Sequence, residues 1–526
     1  MSLTSQQGAR NLALLLLLAL LIRLATFNGA FGSDDLTYFQ RALALARGDW
    51  TSADYNGALR YGFNLPAAGF MALFGESVFA ANLWPLTCSL IEIGAVYVFA
   101  TASMSPRAGL FAALLLACAP LHIAVATRMH ADPVVSMFIT VGFVLLYFGA
   151  LRRQPMLLMA AGLSIGGIFW AKELAAVTWF AFLPMLCLFR GQWRNCLYVI
   201  AAITLMMGLH GVLMWLIAGD PLHLVKIVSS AVKRNFVDEG QGEDGAAYYL
   251  HYLFIDLRHT GLLGFFAILS IWFLPRLVKE KDPLQTGLIF AMVWWIGLLA
   301  VLSLFPVSLS PLRLTMKQSN YITLFLAPTA LVAGMVLAML ERNFGRLLLA
   351  VSLVCGLLLG ALQQADYRAF TANSKALATF SAQHSGALII GSTNNSRLGT
   401  FWANQMYPDS PKAPIYSFLE ISKQEGAAQL PQGEAFDLFA VIDPQTINWV
   451  AGKNSVTSAR PCWQHVQMLE PTGLGLGNEL AKLTGETLNP PFASLDRLAH
   501  PQRADVYRVK GADVLCRKHT TVTAYK

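Results

Sequence analysis

The chain has 526 residues, 56% of them hydrophobic and 13% charged, with a formal net charge of +8. About 25% charge is usual in a soluble domain, and one soluble core cannot hide this much apolar surface, so a globular cytosolic or secreted enzyme, a disordered chain and a disulfide-framework miniprotein are excluded. What remains is a polytopic helical membrane protein, whose basic residues sit mostly in short loops between apolar runs and so mark orientation rather than nucleic-acid binding.

Apolar runs of spanning length fall at 11–27, 77–101, 109–126, 134–151, 156–171, 173–189, 196–218, 260–275, 283–305, 322–340 and 347–362. That makes about eleven spans. Only Lys172-Glu173 separates 156–171 from 173–189, so a re-entrant half stays open there. One set of short loops carries Arg10, Arg107, Arg152, Arg153, Arg190, Arg194, Arg276, Lys279, Lys281, Arg342 and Arg346. The long loops 28–76 and 219–259 are far less densely basic. The first set therefore reads as cytoplasmic, with the N-terminus inside and the C-terminus outside. Residues 1–27 read as an uncleaved span rather than a signal peptide, because Ala-Thr-Phe is a poor cleavage site and Arg23 lies near the outer end.

The first outer loop opens Phe31-Gly32-Ser33-Asp34-Asp35-Leu36-Thr37-Tyr38. Two carboxylates beside a bilayer are costly unless solvated, paired or functional. A carboxylate there suits a general base acting on an acceptor hydroxyl or amine, and the pair could hold a divalent cation. The same residues suit the first turn of a helix over Leu36–Arg47, and the roles are compatible. Arg60, in Leu59-Arg60-Tyr61-Gly62-Phe63-Asn64-Leu65-Pro66, offers a bidentate cation for a phosphate. Further along come Thr127-Arg128-Met129-His130-Ala131-Asp132-Pro133, Trp170-Ala171-Lys172-Glu173 and Arg313 with Met316-Lys317-Gln318-Ser319-Asn320-Tyr321. Each has a plainer reading. Asp132-Pro133 can start a helix, Lys172 and Glu173 can pair at a turn, Arg313 and Lys317 can anchor at headgroups, and Tyr38, Tyr61 and Tyr321 can form an aromatic belt. The acidic, Gly-rich stretch within 233–245 reads as a segment over the site or a solvated loop.

Charge-derived topology places Asp34, Asp35, Arg60, Arg128, Asp132, Lys172, Arg313 and Lys317 on the outer side. Cations that neutralise a departing phosphate and a carboxylate that takes a proton are what transfer from a lipid phosphate needs.

From about residue 363 Pro, Asn, Asp and Gly return. Short apolar runs at Ala387–Ile390 and Phe436–Ile442 read as buried strands. The expected division is a membrane body, 1–362, and an extracytoplasmic α/β domain, 363–526, so the fold class is mainly α with an α/β appendage. Of seven cysteines, Cys462 and Cys516 fall in this tail, where an oxidising compartment favours a disulfide between them.

An acidic pair after the first span, a basic residue and Pro late in the loop, and Phe74-Gly75-Glu76-Ser77 before the second span resemble the GT-C glycosyltransferases. The branch is the polyprenyl-phosphate-sugar-dependent one, with the protein O-mannosyltransferases and the lipid A aminoarabinose transferase. The Arg128–Asp132 loop, Lys172 and Lys317–Tyr321 are similar to later motifs of that group, over about residues 10–345. The pair here is Asp-Asp rather than Asp-Glu, and Glu173 stands where the family has Gly.

The resemblance implies an inverting glycosyltransferase. It would move a monosaccharide from a polyprenyl-phosphate donor to an extracytoplasmic lipid, glycan or protein acceptor at the plasma membrane. Asp34 is then the expected general base and Asp35 its orienting partner. Arg60, Lys172 and Lys317 are the expected donor-phosphate contacts, and Tyr61, Arg128, Asp132, Arg313 and Tyr321 further site residues. A divalent metal on Asp34 and Asp35 is the expected cofactor, if any. A transporter or flippase of a lipid-linked or anionic solute is the rival reading, although no inverted repeat is evident. A non-catalytic scaffold is a third.

Overall fold

The computed structural model describes residues 6–32, 34–182, 193–233, 245–279, 283–310, 312–419, 437–447, 456–488 and 498–509. The chain divides into two compact units, Met1–Gln363 and Gln364–Lys526.

The first unit is helical. Its elements are α1 (Gln6–Ala25), α2 (Asp34–Ala46), α3 (Tyr61–Phe74), α4 (Val78–Ser103), α5 (Pro106–Ala117), α6 (Pro120–Val125), α7 (Asp132–Arg152), α8 (Pro155–Ala171), α9 (Trp193–Ala218), α10 (His223–Val232), α11 (Tyr248–Phe254), α12 (Leu263–Lys279) and α13 (Pro283–Leu304). A small hairpin, β1 (Pro306–Leu309) and β2 (Leu312–Leu314), leads to α14 (Thr323–Met339) and then α15 (Arg342–Gln383). Among the described residues, seven helices are long and apolar enough to cross a membrane. The chain is an integral membrane protein.

That is fewer than the eleven expected spans, and proline explains one of the losses. The run 109–126 breaks at Ala119, whose extended backbone (ψ 129°) precedes Pro120; proline disfavours a helical residue before it and supplies no N–H. Pro155–Ala171 and the apolar part of α12, Leu263–Phe273, are also short. Beyond α8 the expected span 173–189 begins as 3₁₀ turns, Glu173–Ala181, and 183–192 lie outside the described residues. So do 234–244, which hold most of the acidic Gly-rich stretch. The helix starts are conventional. Ser77 and Ser105 accept from the N–H groups of Ala80 and Ala108, and Arg153, at φ 52°, ends α7 by bonding back to the Ala150 carbonyl.

A chain of polar side chains is buried among these helices. Arg23 Nε donates to Ser89 at 2.6 Å. Its Nη2 reaches His122 Nδ1 at 2.7 Å, and His122 Nε2 reaches Glu92 at 3.1 Å. Arginine can only donate, so Nδ1 is the acceptor and Nε2 carries the proton toward Glu92. Ser136 and Thr140 also donate to Glu92, at 2.6 and 2.9 Å. Arg23, expected near the outer end of a span, is thus fully enclosed. The network ties α1, α4, α6 and α7 together just before the segments that carry Asp34, Asp35 and Arg128.

The second unit holds a mixed five-stranded sheet of β3 (Leu388–Gly391), β4 (Ile415–Ser417), β5 (Leu438–Ile442), β6 (Trp463–Leu469) and β7 (Ala504–Val509), in the order β4-β3-β5-β7-β6. β3 is parallel to β4 and β5, while β7 is antiparallel to β5 and β6. Alternate residues serve two cores. Ile389, Phe439, Val441 and Val506 pack with Leu377 and Phe380 of α15; Leu388, Ile390, Ala440 and Val509 pack with Phe418 and Trp463 on the other face. Both faces are covered, which is why the β3 and β5 runs are continuously apolar. The helices α16 (Thr400–Met406), α17 (Pro444–Ile447) and α18 (Leu476–Leu488) connect the strands. The first element of this unit is the end of α15, where a soluble tail was expected to start at 363. Hydrophobicity drops there, but Gln363, Gln364 and Ala365 are good helix formers and the helix continues. Cys462 is disulfide-bonded, while Cys88, Cys118, Cys196 and Cys355 are free. Cys516 lies outside the described residues.

Candidate active site

In the first unit, four carboxylates and their partners gather from five chain segments. Asp34 and Asp35 open α2, where acids suit the unpaired N–H groups and the dipole of a first turn. Asp35 is buried and accepts from the Phe31 N–H at 2.8 Å. Arg128 meets it with two nitrogens, each at 3.2 Å, and the Arg128 guanidinium lies 4.7 Å from the Phe31 ring centre. The two segments are held together by backbone, with the Gly29 N–H on the Thr127 carbonyl at 2.8 Å.

Arg60 and Glu173 form a bidentate buried pair, both contacts at 2.9 Å. Asn56 donates to Glu173 at 2.7 Å, and Arg60 also donates to the Tyr38 hydroxyl. Burial by itself would lower the Arg60 pKa, but the charges of Glu173, Tyr38 and Asp34 outweigh it and hold it well above the usual value. Lys172 lies on Asp132 at 2.6 Å, with its ammonium 4.3 Å from the Tyr321 ring centre. Asn320 and His130 complete the Asp132 surroundings at 2.6 and 3.1 Å. One reading of the sequence paired Lys172 with its neighbour Glu173. The structure separates them: the backbone turns at Lys172, and each side chain finds its partner on another segment.

Asp34 differs from the other three. It is half-buried, and its Oδ1 accepts from the Tyr55 hydroxyl at 2.6 Å. Its hydrogen-bond partner is a neutral phenol, where Asp35, Asp132 and Glu173 each have a cation. Burial, and then the Asp34 charge, push the Tyr55 pKa up, so that hydroxyl remains a donor.

The remaining expected residues lie as follows. Tyr61 is buried, accepts from Arg41 at 2.8 Å and stacks on Trp50 at 6.4 Å between ring centres. Lys317 is buried and donates to the Thr315 carbonyl at 3.3 Å. Arg313 is part-buried on β2. An apolar crevice opens beside Tyr321, lined by Leu174, Val177, Leu302, Val307, Met316 and Leu324.

A cation bridging Asp34 and Asp35 does not fit this arrangement. Asp35 already accepts a backbone N–H and both prongs of Arg128, and among the described residues no group of three His, Cys, Asp or Glu is placed to hold a metal. Sequence reasoning missed Tyr55, Asn56 and Asn320, because neutral polar residues in loops carry no pattern. It also underrated Glu173, whose signal was a carboxylate at a membrane-level turn.

Residues 62–215 match the family profile of dolichyl-phosphate-mannose-protein mannosyltransferases. ArnT from Cupriavidus metallidurans bound to undecaprenyl phosphate superposes with a TM-score of 0.53 at 15% identity, covering 95% of this chain and 98% of that one. The fold is that of the GT-C superfamily. The apo form of the same ArnT gives 0.51 at 18% identity, over 86% and 95% of the two chains. The GT-C likeness extends to the archaeal oligosaccharyltransferase AglB from Archaeoglobus fulgidus, in complex with an inhibitory peptide and a dolichol-phosphate, at 0.50 and 12% identity over 83% and 69%. A search of curated proteins finds no match.

Proposed function

We propose that this GT-C protein is an inverting glycosyltransferase. It takes a monosaccharide from a polyprenyl-phosphate donor and passes it to an acceptor on the extracytoplasmic, periplasmic face of the inner membrane. The observation that carries the reading is the asymmetry among the four carboxylates. Three are committed to cations, whereas among the described residues Asp34 accepts a hydrogen bond from the neutral Tyr55 hydroxyl, which leaves it the most lone pairs of the four for a proton and fixes its direction.

The acceptor hydroxyl or amine gives its proton to Asp34 as its oxygen or nitrogen bonds to the anomeric carbon. The bond from that carbon to the phosphate oxygen breaks, and the polyprenyl phosphate leaves with the electron pair. Lys317, Lys172 and Arg60 are the proposed cations for that phosphate, with Arg128, Asp132 and Arg313 around them. Asp35, clamped by Arg128, orients the turn that carries Asp34. The crevice beside Tyr321 suits an isoprenoid chain. ArnT is known bound to undecaprenyl phosphate and AglB in complex with a dolichol-phosphate, which supports a donor of this class. The C-terminal unit is proposed to be extracytoplasmic, with a Cys462–Cys516 disulfide.

The test is a mass-spectrometric comparison of surface glycans and lipids from cells with the protein, without it, and with Asp34→Asn. Loss of one glycoform in both the deletion and the variant supports the reading. A full complement of that glycoform in the variant overturns the role of Asp34.

A further inference from the structure

Asp34, Tyr38 and Arg41 fall at i, i+4 and i+7 on one face of α2. Arg41 is buried, with 7% of its surface exposed. Its Nη2 donates to the Tyr61 hydroxyl at 2.8 Å, and its guanidinium carbon lies 5.7 Å from the centre of the Tyr61 ring. Its Nε is buried with no acceptor among the described residues. Arg60, Arg128 and Lys172 each meet a carboxylate within 3.2 Å; Arg41, among the described residues, meets none. Asp49 feels its charge, but Asp49 is exposed and accepts from the Thr51 N–H at 2.9 Å instead. A buried guanidinium facing a neutral phenol keeps most of its five N–H donors unused, and its desolvation cost is one that a bound anion offsets.

The surroundings indicate what carries that anion. Tyr61 stacks on Trp50, with ring centres 6.4 Å apart and planes 12° apart. Trp50 is 43% exposed. An open aromatic ring beside a buried cation suits a sugar ring that bears a negative group, since the ring supplies apolar contact and the guanidinium a charge-assisted bond. Among the described residues, none that lines the crevice beside Tyr321 belongs to α2 or α3. Contacts lead from that crevice through Lys172 on Tyr321, then Glu173 on Arg60, and reach Arg41 only through Tyr61, the residue after Arg60.

We propose that Arg41, with Tyr61 and Trp50, binds the acceptor through a phosphate or carboxylate on one of its sugar rings. The acceptor is then an anionic glycan or glycolipid. This rests on the transferase reading, in which Lys317, Lys172 and Arg60 take the donor phosphate and leave Arg41 for the second substrate. On α2 the same helix face then presents a carboxylate for the acceptor's proton and a cation for its charge.

The test is saturation-transfer NMR on full-length protein in detergent, with glucose, glucose 6-phosphate and glucuronate compared at equal ionic strength. The anionic sugars are expected to give signals about fivefold or more above glucose, and the stronger of the two names the charged group. Arg41→Gln is expected to bring both down to the glucose level. Trp50→Ala, at an exposed position, is expected to weaken all three, and unchanged signals there overturn the site even where Arg41→Gln does not fold. A preference for anionic sugars that survives Arg41→Gln and disappears in Lys317→Gln assigns the anion to the donor cations and also overturns it. Equal signals from all three sugars on the wild-type chain do the same without any variant. The glycoform comparison with Asp34→Asn tests the transferase reading by itself, so the two failures are told apart: the sugar preference depends on Arg41 and the glycoform on Asp34.

Discussion

Two polar clusters in the first unit are built from the same residue types and differ in what is left over. In the Arg23–His122–Glu92 network the carboxylate, imidazole and guanidinium are all engaged. In the loop cluster three carboxylates are paired with cations, but the hydrogen-bond partner of Asp34 among the described residues is a phenol. A fully engaged network in an apolar setting holds helices in register, with its carboxylate shared among three donors. A nearly saturated one does the same for its neighbours and presents a single reactive group. The count of ionisable groups does not locate chemistry, whereas the unmatched member does.

The sharpest way to break this contrast is Asp34→Asn. Transfer is expected to fall by about 10²–10⁴-fold, the usual weight of a general base, with an unchanged thermal unfolding midpoint. A matching loss of stability would place Asp34 with the structural groups instead. Glu92→Ala should do the reverse. Removing one partner from a buried charged network costs about 3–5 kcal/mol, so the folded yield and unfolding midpoint in detergent should drop, and whatever protein folds should still turn over.

Tyr55→Phe probes the difference more gently. It deletes one hydrogen bond, worth about 1 kcal/mol, and should lower the transfer rate about fivefold without affecting the yield. The smallest effect concerns the other unit. Burial, and then the Arg368 charge, lower the folded pKa of Lys375 on α15 to about 8, against about 10.4 unfolded. Between those values the unfolded chain binds more protons, so stability should rise with pH across that window. Lys375→Met should flatten that rise, as read from unfolding midpoints over the same pH range.

Much of this was legible in the primary structure. Hydropathy identified an integral membrane protein built mainly of apolar helices. The acidic pair at Asp34-Asp35, with Pro133 after Asp132 and Lys172 at a turn, pointed to one face. The partners were not legible. Lys172 and Glu173 are adjacent in the chain yet bond to Asp132 and Arg60, because pairing depends on which segments pack together. Nor did hydropathy foresee the break at Pro120 or the run of α15 to Gln383, since local backbone preferences there outweigh the apolar pattern.

Composition and periodicity by themselves determined that this chain enters a membrane, because transfer of apolar side chains from water is a local, additive quantity. Which carboxylate is matched and which is left available was decided only by tertiary structure. Ion pairs and hydrogen bonds act over a few ångströms between segments far apart in sequence, and only the packed fold sets those distances.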